Sequence, residues 1–181
     1  MIRRKKKIQN EKCTQAILFA RVSSKKQKDK GVSLDVQMET ITKYCHDKGL
    51  KIIKDFSIDE SSTKGERKQY YEMLDFAKSC PGKVAIVVNY VDRLQRNYDD
   101  TYELNKLRKE GKIEVHFLRE QLIIHKDSNS LEINFWNMHV LMANAQVNNM
   151  IDKVKASQAK NWSLGKCQGY PRQRTKLKRK L

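Results

Sequence analysis

The sequence lacks an apolar run long enough to cross a membrane, because its longest apolar stretches fall far short of the about 20 residues that a spanning helix needs. The chain starts with a basic cluster at residues 3–7, but polar residues follow at 9–12, where a secretory signal would be apolar. Lipidation motifs and an amphipathic anchor, which would hold the chain on an anionic membrane surface, are missing too. We therefore expect no membrane partner.

The sequence also lacks closely spaced cysteines. Its four cysteines lie far apart, at positions 13, 45, 80 and 167, and no two of them form a Cys-x-x-Cys pair. The four histidines do not recur at the spacing of metal ligands either. This pattern argues against a zinc site and fits free thiols in a reducing cytoplasm.

Acidic residues are scarce relative to basic ones. The chain has 21 Asp and Glu against 38 Lys and Arg, which gives it a formal net charge of +17. Such an excess favours a polyanionic partner, of which nucleic acid is the simplest. Hydrophobic residues make up 39% of the 181 residues, which is enough for the core of one domain with a tail.

Strand-like and helical patterns alternate along the chain. Strands are predicted at 16–20, 51–56, 84–88 and 113–118. Helices are predicted at 33–48, 69–79, 98–109 and 131–160, with loops at 59–67 and 119–129. The alternation predicts an α/β domain with a mostly parallel sheet of four to five strands.

The chain divides into four predicted segments: a basic arm at 1–14, the α/β domain at 15–130, a long helix at 131–160 and a basic flexible tail at 161–181. The long helix carries an apolar seam with spacings of four and three residues, a pattern typical of helix packing. The seam consists of Trp136, Val140, Ala143, Val147, Met150 and Val154. It fits packing either on the domain's own sheet or on another subunit.

Cationic residues follow several predicted strands. Arg21 and Ser23 come at the end of the first strand, Arg67 follows the second, and Arg93 and Arg96 follow the third. The carboxyl ends of parallel strands meet at one edge of a sheet, so we expect these residues to converge. A hydroxyl among guanidinium groups suits attack on a phosphodiester, because the cations stabilise the developing charge without a metal or other cofactor.

These residues also allow simpler or different interpretations. A serine such as Ser23 at a strand end is consistent with a cap on the following helix, and residues 92–96 are consistent with a solvated helix start. A metal-dependent nuclease would use Asp55, Asp59 and Glu60, but these acids have no further partner at ligand spacing.

Several separate motifs occur in order along residues 15–160. They are Ala20-Arg21-Val22-Ser23-Ser24, Gln27, Ser33-Leu34-Asp35-Val36-Gln37, Glu66-Arg67 and Asp92-Arg93-Leu94-Gln95-Arg96. In order and spacing they resemble the catalytic domain of the serine recombinases, the resolvase/invertase family. The resemblance implies a Rossmann-like three-layer α/β domain, followed by a long C-terminal helix that builds the oligomer interfaces and contacts DNA.

The resemblance also implies a reaction and its partners. The family's serine attacks DNA and forms a transient 5′-phosphoseryl bond, which leaves a free 3′-hydroxyl. Strands exchange within a tetramer and are rejoined without an external energy source, because the phosphoester preserves the bond energy. The implied partner is double-stranded DNA, bound by a homodimer that assembles to a tetramer in the cytoplasm of a bacterium, as part of a phage or other mobile element.

Residue by residue, the resemblance makes Ser23 the nucleophile. The residues that match the scissile-phosphate cluster are Arg21, Arg67, Arg93 and Arg96. Asp92 and Gln27 match supporting residues of the active site. The expected DNA contacts are Gln37, Lys25, Lys26, Arg172 and Arg174.

Two features depart from the family pattern. The long helix has Asn148-Asn149 where relatives carry a Glu-Arg pair. Residues 165–171 resemble the start of the linker of the large serine recombinases, but neither a helix-turn-helix nor a zinc-ribbon domain follows, so we expect a truncated member of the large type. The alternative is a non-catalytic DNA-binding and oligomerisation module, which would bind DNA through charge alone and weaken steeply with salt.

Overall fold

The structure is a computed structural model that describes residues 13–22, 34–59, 63–95 and 98–164. The elements are β1 (Gln15–Val22), α1 (Leu34–Lys48), β2 (Lys51–Asp59), α2 (Thr63–Ser79), β3 (Val84–Val88), α3 (Val91–Leu94), α4 (Tyr98–Lys109), β4 (Ile113–Phe117), β5 (Leu122–Ile124) and α5 (Ser130–Ser163). The chain forms two compact units, Met1–Asn144 and Ala145–Leu181. None of the helices in these described ranges is long and apolar enough to span a membrane.

The strands form one five-stranded sheet in the order β2-β1-β3-β4-β5. Four strands are parallel, and β5 pairs antiparallel to β4 at one edge. All residues of β3, from Val84 to Val88, are buried, as expected of a central parallel strand covered on both faces. The predicted mostly parallel sheet is therefore confirmed.

Helices cover both faces of the sheet, so the first unit has three layers. On one face, Ile41 and Cys45 of α1 pack against Leu18 and Val87. The other face carries the larger core, in which Ile17 and Ile86 meet side chains of α2, α4 and the first part of α5. Alternate residues of β1 and β3 point into the two cores, as the period of two in a strand requires. The predicted three-layer α/β fold is confirmed.

The helix ends follow the local sequence signals. Gly49 has φ +67° and its N–H donates to the His46 carbonyl at 3.0 Å, which closes α1. Gly111, with φ +76°, closes α4 in the same way through the Arg108 carbonyl at 2.9 Å. Both glycines adopt the left-handed conformation that other residues rarely take. The predicted stops of these two helices are confirmed.

Several of the predicted boundaries are wrong. The strands β1 and β2 end at Val22 and Asp59 rather than at 20 and 56. The loop predicted at 119–129 contains β5, which at three residues is too short to show a period. The loop predicted to run to Arg67 is helical from Thr63, because the polar first turns of α2 carry no apolar repeat to reveal them. Residues 13 and 14, predicted to belong to the arm, are part of the folded domain: Cys13 is 5% exposed, and the Thr14 carbonyl accepts the Lys51 N–H at 2.8 Å.

The long helix is confirmed, with bounds slightly wider than 131–160. In the first unit, Trp136, Val140 and Ala143 of the seam are buried in the core. In the second unit, the seam residues are exposed: Val147, Met150 and Val154. The remaining residues of the predicted arm, 1–12, and of the predicted tail from 165 onwards lie outside the described residues.

A buried polar network joins α1 to the sheet on the α1 side. Lys83, just before β3, forms an ion pair with Glu114 of β4. His116 Nε2 donates to the second carboxylate oxygen of Glu114 at 2.9 Å, and His116 Nδ1 lies 2.9 Å from the Tyr44 hydroxyl. Burial alone would raise the pKa of Glu114, but the hydrogen bonds and charges of His116 and Lys83 outweigh it and lower that pKa to about 2.

This lowered pKa predicts how stability responds to acid. Because the folded pKa lies below the unfolded one, the ionised Glu114 stabilises the fold above about pH 4.5 and loses that effect as the pH falls through about 2. The contribution is about 3 kcal/mol. Urea unfolding from pH 6 to pH 2 should therefore show a shallower loss of stability in Glu114→Gln, with the two proteins converging at low pH. Glu110→Gln, at an exposed position, should keep the pH dependence of the unmodified protein. An equally shallow pH dependence in both variants would contradict the contribution assigned to Glu114.

Candidate active site

The candidate site lies where β1 and β3 end side by side. The two strands are parallel neighbours, with Phe19 opposite Val88 in the register. Beyond Val88 the chain forms the segment 89–95, which we call the arginine loop and which contains the single turn α3. Neighbouring parallel strands deliver their following segments to one edge of the sheet, so the end of β1 meets the arginine loop there.

Arg21 near the end of β1 binds the backbone of the arginine loop. Its side chain is only 4% exposed. Its Nε donates to the Arg93 carbonyl at 3.0 Å, and its Nη2 donates to the Asp92 carbonyl. A planar guanidinium can reach two neighbouring carbonyls at once, which a lysine ammonium does less well. The predicted convergence of Arg21 with Arg93 is thus a contact to the backbone of the loop, a positioning role that the sequence pattern does not reveal.

The guanidinium of Arg93 has fewer contacts than that of Arg21 among the described residues. Its side chain is 14% exposed, and its Nη1 lies 3.9 Å from Asp92 Oδ2, a long and partly exposed ion pair. Its Nε is buried and has no hydrogen-bond partner within the part of the chain that the structure describes. A partly desolvated guanidinium of this kind is well suited to bind an anionic oxygen through its exposed part.

Further contacts hold the arginine loop from neighbouring elements. The Val91 N–H at the start of α3 donates to Glu120 Oε1 at 3.2 Å. Asn89, 4% exposed, donates through Nδ2 to the Gln37 carbonyl of α1 at 3.3 Å. Gln95 at the end of the loop is completely buried. The sequence patterns do not point to Glu120 or Asn89, and the one signal for Gln95 is its place inside a matching motif.

The structure brings together only part of the predicted site. Arg21, Asp92 and Arg93 meet through the backbone of the arginine loop, and Gln37, 3% exposed, contacts the loop through its own carbonyl. Arg67 belongs to α2, but its side chain is outside the described part of the structure. The other predicted site residues lie outside the described residues altogether: Ser23, Lys25, Lys26, Gln27, Arg96, Arg172 and Arg174. Their roles stay predictions.

The metal-nuclease alternative gains no support from the described residues. Within the described ranges, no group of three or more His, Cys, Asp or Glu side chains is arranged to hold a metal ion. Asp55 is exposed on β2, and Glu60 lies outside the described ranges. The described side chains at this sheet edge include two cations: Arg21, whose guanidinium binds backbone carbonyls, and Arg93, whose guanidinium lies 3.9 Å from the Asp92 carboxylate.

Comparison with known families agrees with this geometry. The family model of the resolvase N-terminal domain matches residues 16–167. The chain belongs to the resolvase family of serine recombinases. This membership confirms the family predicted from the motifs, and with it a function in site-specific DNA recombination.

Two solved structures of serine recombinases share the fold. The N-terminal catalytic domain of TP901-1 integrase is 21% identical, and the match covers 78% of this chain and 98% of that one with a TM-score of 0.56. A resolvase family site-specific recombinase from Streptococcus pneumoniae is 16% identical, with 81% and 98% covered and a TM-score of 0.54. No curated protein matches the chain.

The double contact of Arg21 predicts different effects for two buried arginines. Arg108 is 5% exposed and resembles Arg21 in gripping backbone, since its Nη1 donates to the His125 carbonyl at 2.7 Å, away from the arginine loop. Arg21→Lys and Arg108→Lys should each lower the free energy of unfolding by about 1–3 kcal/mol in urea titrations, since buried carbonyls lose charged donors. Only Arg21→Lys should also slow DNA cleavage. Equal cleavage by the two variants would refute a role of Arg21 at the site.

Proposed function

We propose that this recombinase cleaves and rejoins double-stranded DNA through a covalent bond between Ser23 and a 5′-phosphate. The observation that carries the proposal is the pair of contacts from Arg21 to the Asp92 and Arg93 carbonyls, which tie the arginine loop to the end of β1. Ser23 follows Arg21 by two residues in the sequence, directly beyond that strand.

The proposed reaction is a transesterification. The Ser23 oxygen forms a bond to phosphorus and loses its proton, while the bond from phosphorus to the 3′-oxygen breaks and that oxygen takes up a proton. The partly exposed guanidinium of Arg93, together with the proposed contacts of Arg67 and Arg96, stabilises the charge that develops on the phosphate oxygens. Asp92 orients Arg93 or assists proton transfer, and Gln27 supports the site.

Rejoining reverses the same steps. The 3′-hydroxyl of a new partner strand attacks the phosphoseryl phosphorus, and the bond to Ser23 breaks, which regenerates the free hydroxyl. No energy source is needed, because one phosphoester replaces another. We propose that the arginines supply the electrostatic stabilisation without a metal ion.

Assembly on DNA forms part of the proposal. An exposed apolar stripe lies along the first part of α5: Leu131 is 79% exposed, Phe135 42%, Met138 45% and Met142 52%. A contiguous apolar surface of this kind is typical of an interaction face. We propose a homodimer that forms a tetramer on DNA, with Lys25, Lys26, Arg172 and Arg174 as DNA contacts and the net charge of +17 as the long-range attraction. Gln37, which was also predicted to contact DNA, is 3% exposed and contacts the arginine loop instead.

The proposed location is the cytoplasm of a bacterium. Cys13, Cys45 and Cys80 are free thiols, as a reducing compartment would keep them. Burial raises the pKa of Cys13 and Cys45 to about 11, so both stay protonated at neutral pH and act as core residues rather than nucleophiles.

The nucleophile can be tested by trapping the covalent intermediate. A DNA substrate that is nicked beside the cleavage position prevents rejoining, so the protein should accumulate as an adduct that survives denaturing electrophoresis. Ser23→Ala should abolish the adduct, while Ser79→Ala, a serine at the end of α2, should leave it unchanged. The adduct should also form in EDTA. An adduct that persists in Ser23→Ala would refute the assignment, and loss of the adduct in EDTA alone would refute metal independence.

The contribution of Arg93 has an expected size. Arg93→Gln removes the open guanidinium and should slow adduct formation by a factor that corresponds to about 2–4 kcal/mol, by analogy with the loss of one donor that stabilises an anion. Lys109→Gln, an exposed cation at the end of α4, removes the same charge and controls for the general attraction to DNA. Single-turnover rates at saturating DNA decide the matter, and equal rates for the two variants would contradict the role of Arg93.

A further inference from the structure

We propose that Gln95 and Trp136 form a buried clamp that fixes the arginine loop to α5 and thereby positions Arg93 for the reaction. We call this pair the Gln95–Trp136 clamp. The inference rests on the proposed function for its catalytic part, whereas its structural part stands on the contacts alone. It makes both residues positioning residues, since neither is argued to touch DNA.

The clamp connects three elements through one side-chain amide. Trp136 Nε1 of α5 donates to Gln95 Oε1 at 2.7 Å, and Gln95 Nε2 donates to Thr101 Oγ1 of α4 at 2.9 Å. Both Gln95 and Trp136 are 0% exposed. The Gln95 backbone N–H donates to the Val91 carbonyl at 3.0 Å and ends the turn α3.

The chemistry of the two side chains makes this arrangement hard to replace. An indole N–H can only donate, so it needs an acceptor when it is buried, and the amide oxygen of Gln95 is that acceptor. Separating the loop from α5 would leave both groups buried and unpaired, and an unpaired buried group costs more than a hydrogen bond contributes. The clamp therefore resists displacement of the loop.

Because Gln95 lies close to Arg93 in the chain, fixing Gln95 also fixes the backbone of Arg93. Arg93 lies two residues before Gln95, inside the turn α3 that Gln95 closes. Arg21 holds the Asp92 and Arg93 carbonyls from the sheet, and the clamp holds the end of the same turn from the helices. With its backbone fixed from two directions, the Arg93 guanidinium has a small range of positions open to it, which is what a reaction sensitive to ångström shifts requires.

Two variants test the clamp against an ordinary loss of core stability. Trp136→Phe keeps an aromatic ring in the core but removes the donor to Gln95. The matched control is Tyr44→Phe, which removes the buried hydroxyl contact with His116 on the other face of the sheet. Gln95→Met, which has a similar shape but no amide, removes the clamp from the other side and serves if Trp136→Phe does not fold.

The first readout is amide hydrogen exchange in peptides that cover residues 89–95, measured on the full chain without DNA. Trp136→Phe should speed exchange there about tenfold, the size expected for one lost buried hydrogen bond. Tyr44→Phe should leave the arginine loop unchanged and affect α1 instead. An unchanged loop in Trp136→Phe and Gln95→Met, or an equal change in Tyr44→Phe, would overturn the clamp.

The second readout is the single-turnover rate of adduct formation on the nicked substrate. Trp136→Phe and Gln95→Met should each slow it tenfold or more, while Tyr44→Phe should react at the unmodified rate. Faster exchange in the loop together with an unchanged rate would overturn the positioning role. If the unmodified protein forms no adduct with Ser23, the proposed function fails, and the exchange measurement still decides whether the clamp exists.

Discussion

The structure of the site depends on a buried cation that must find solvation inside the protein. Arg21 is almost fully buried at the end of β1, where water cannot solvate its charge. Burying an unpaired charge is prohibitive, so the guanidinium needs acceptors from the protein. The Asp92 and Arg93 carbonyls supply two of these acceptors, and the loop must hold both carbonyls towards the same planar group. The need to solvate Arg21 thus constrains the backbone of the arginine loop, together with the contacts of Val91, Asn89 and Gln95.

The same constraint explains why cations can gather at this edge. A chain with a net charge of +17 works against itself wherever it clusters arginines. Two donors of Arg21 bind carbonyl dipoles, which stabilise its charge, and Asp92 lies within ion-pair distance of Arg93. The Arg93 Nε remains without a partner in the described structure, a cost of about 1–3 kcal/mol. Departures of this kind from complete hydrogen bonding are expected at functional sites.

The fold could be predicted from the sequence wherever apolar patterns and stop signals agreed. The bounds of β3 and α4 are those predicted, because β3 is a continuous buried run and α4 ends before a glycine with positive φ. β5 was not predicted, because three residues are too few to show a periodic pattern. The start of α2 was not predicted, because its first turns are polar. The meeting of Arg21 with Asp92 and Arg93 followed from parallel topology. The Gln95–Trp136 bond did not, because residues 41 positions apart are joined by tertiary packing alone.

The first part of α5 shows most clearly why one apolar seam was found and another was not. Trp136, Val140 and Ala143 recur at helical spacing and face the core. Phe135 and Met138 recur at helical spacing as well, but one residue out of phase, and they face away from the core. Either set alone would indicate an amphipathic helix. Because both sets are present, the two faces of the helix differ little in hydrophobicity. Trp136, in the seam that faces the core, is the donor of the Gln95–Trp136 clamp. The same helix that presents an outer apolar stripe is therefore hydrogen-bonded to the arginine loop, which contains Arg93. One face of α5 therefore packs in the core and the other is suited to a partner. The hydrogen bond from Trp136 to Gln95 also lets the helix support the arginine loop.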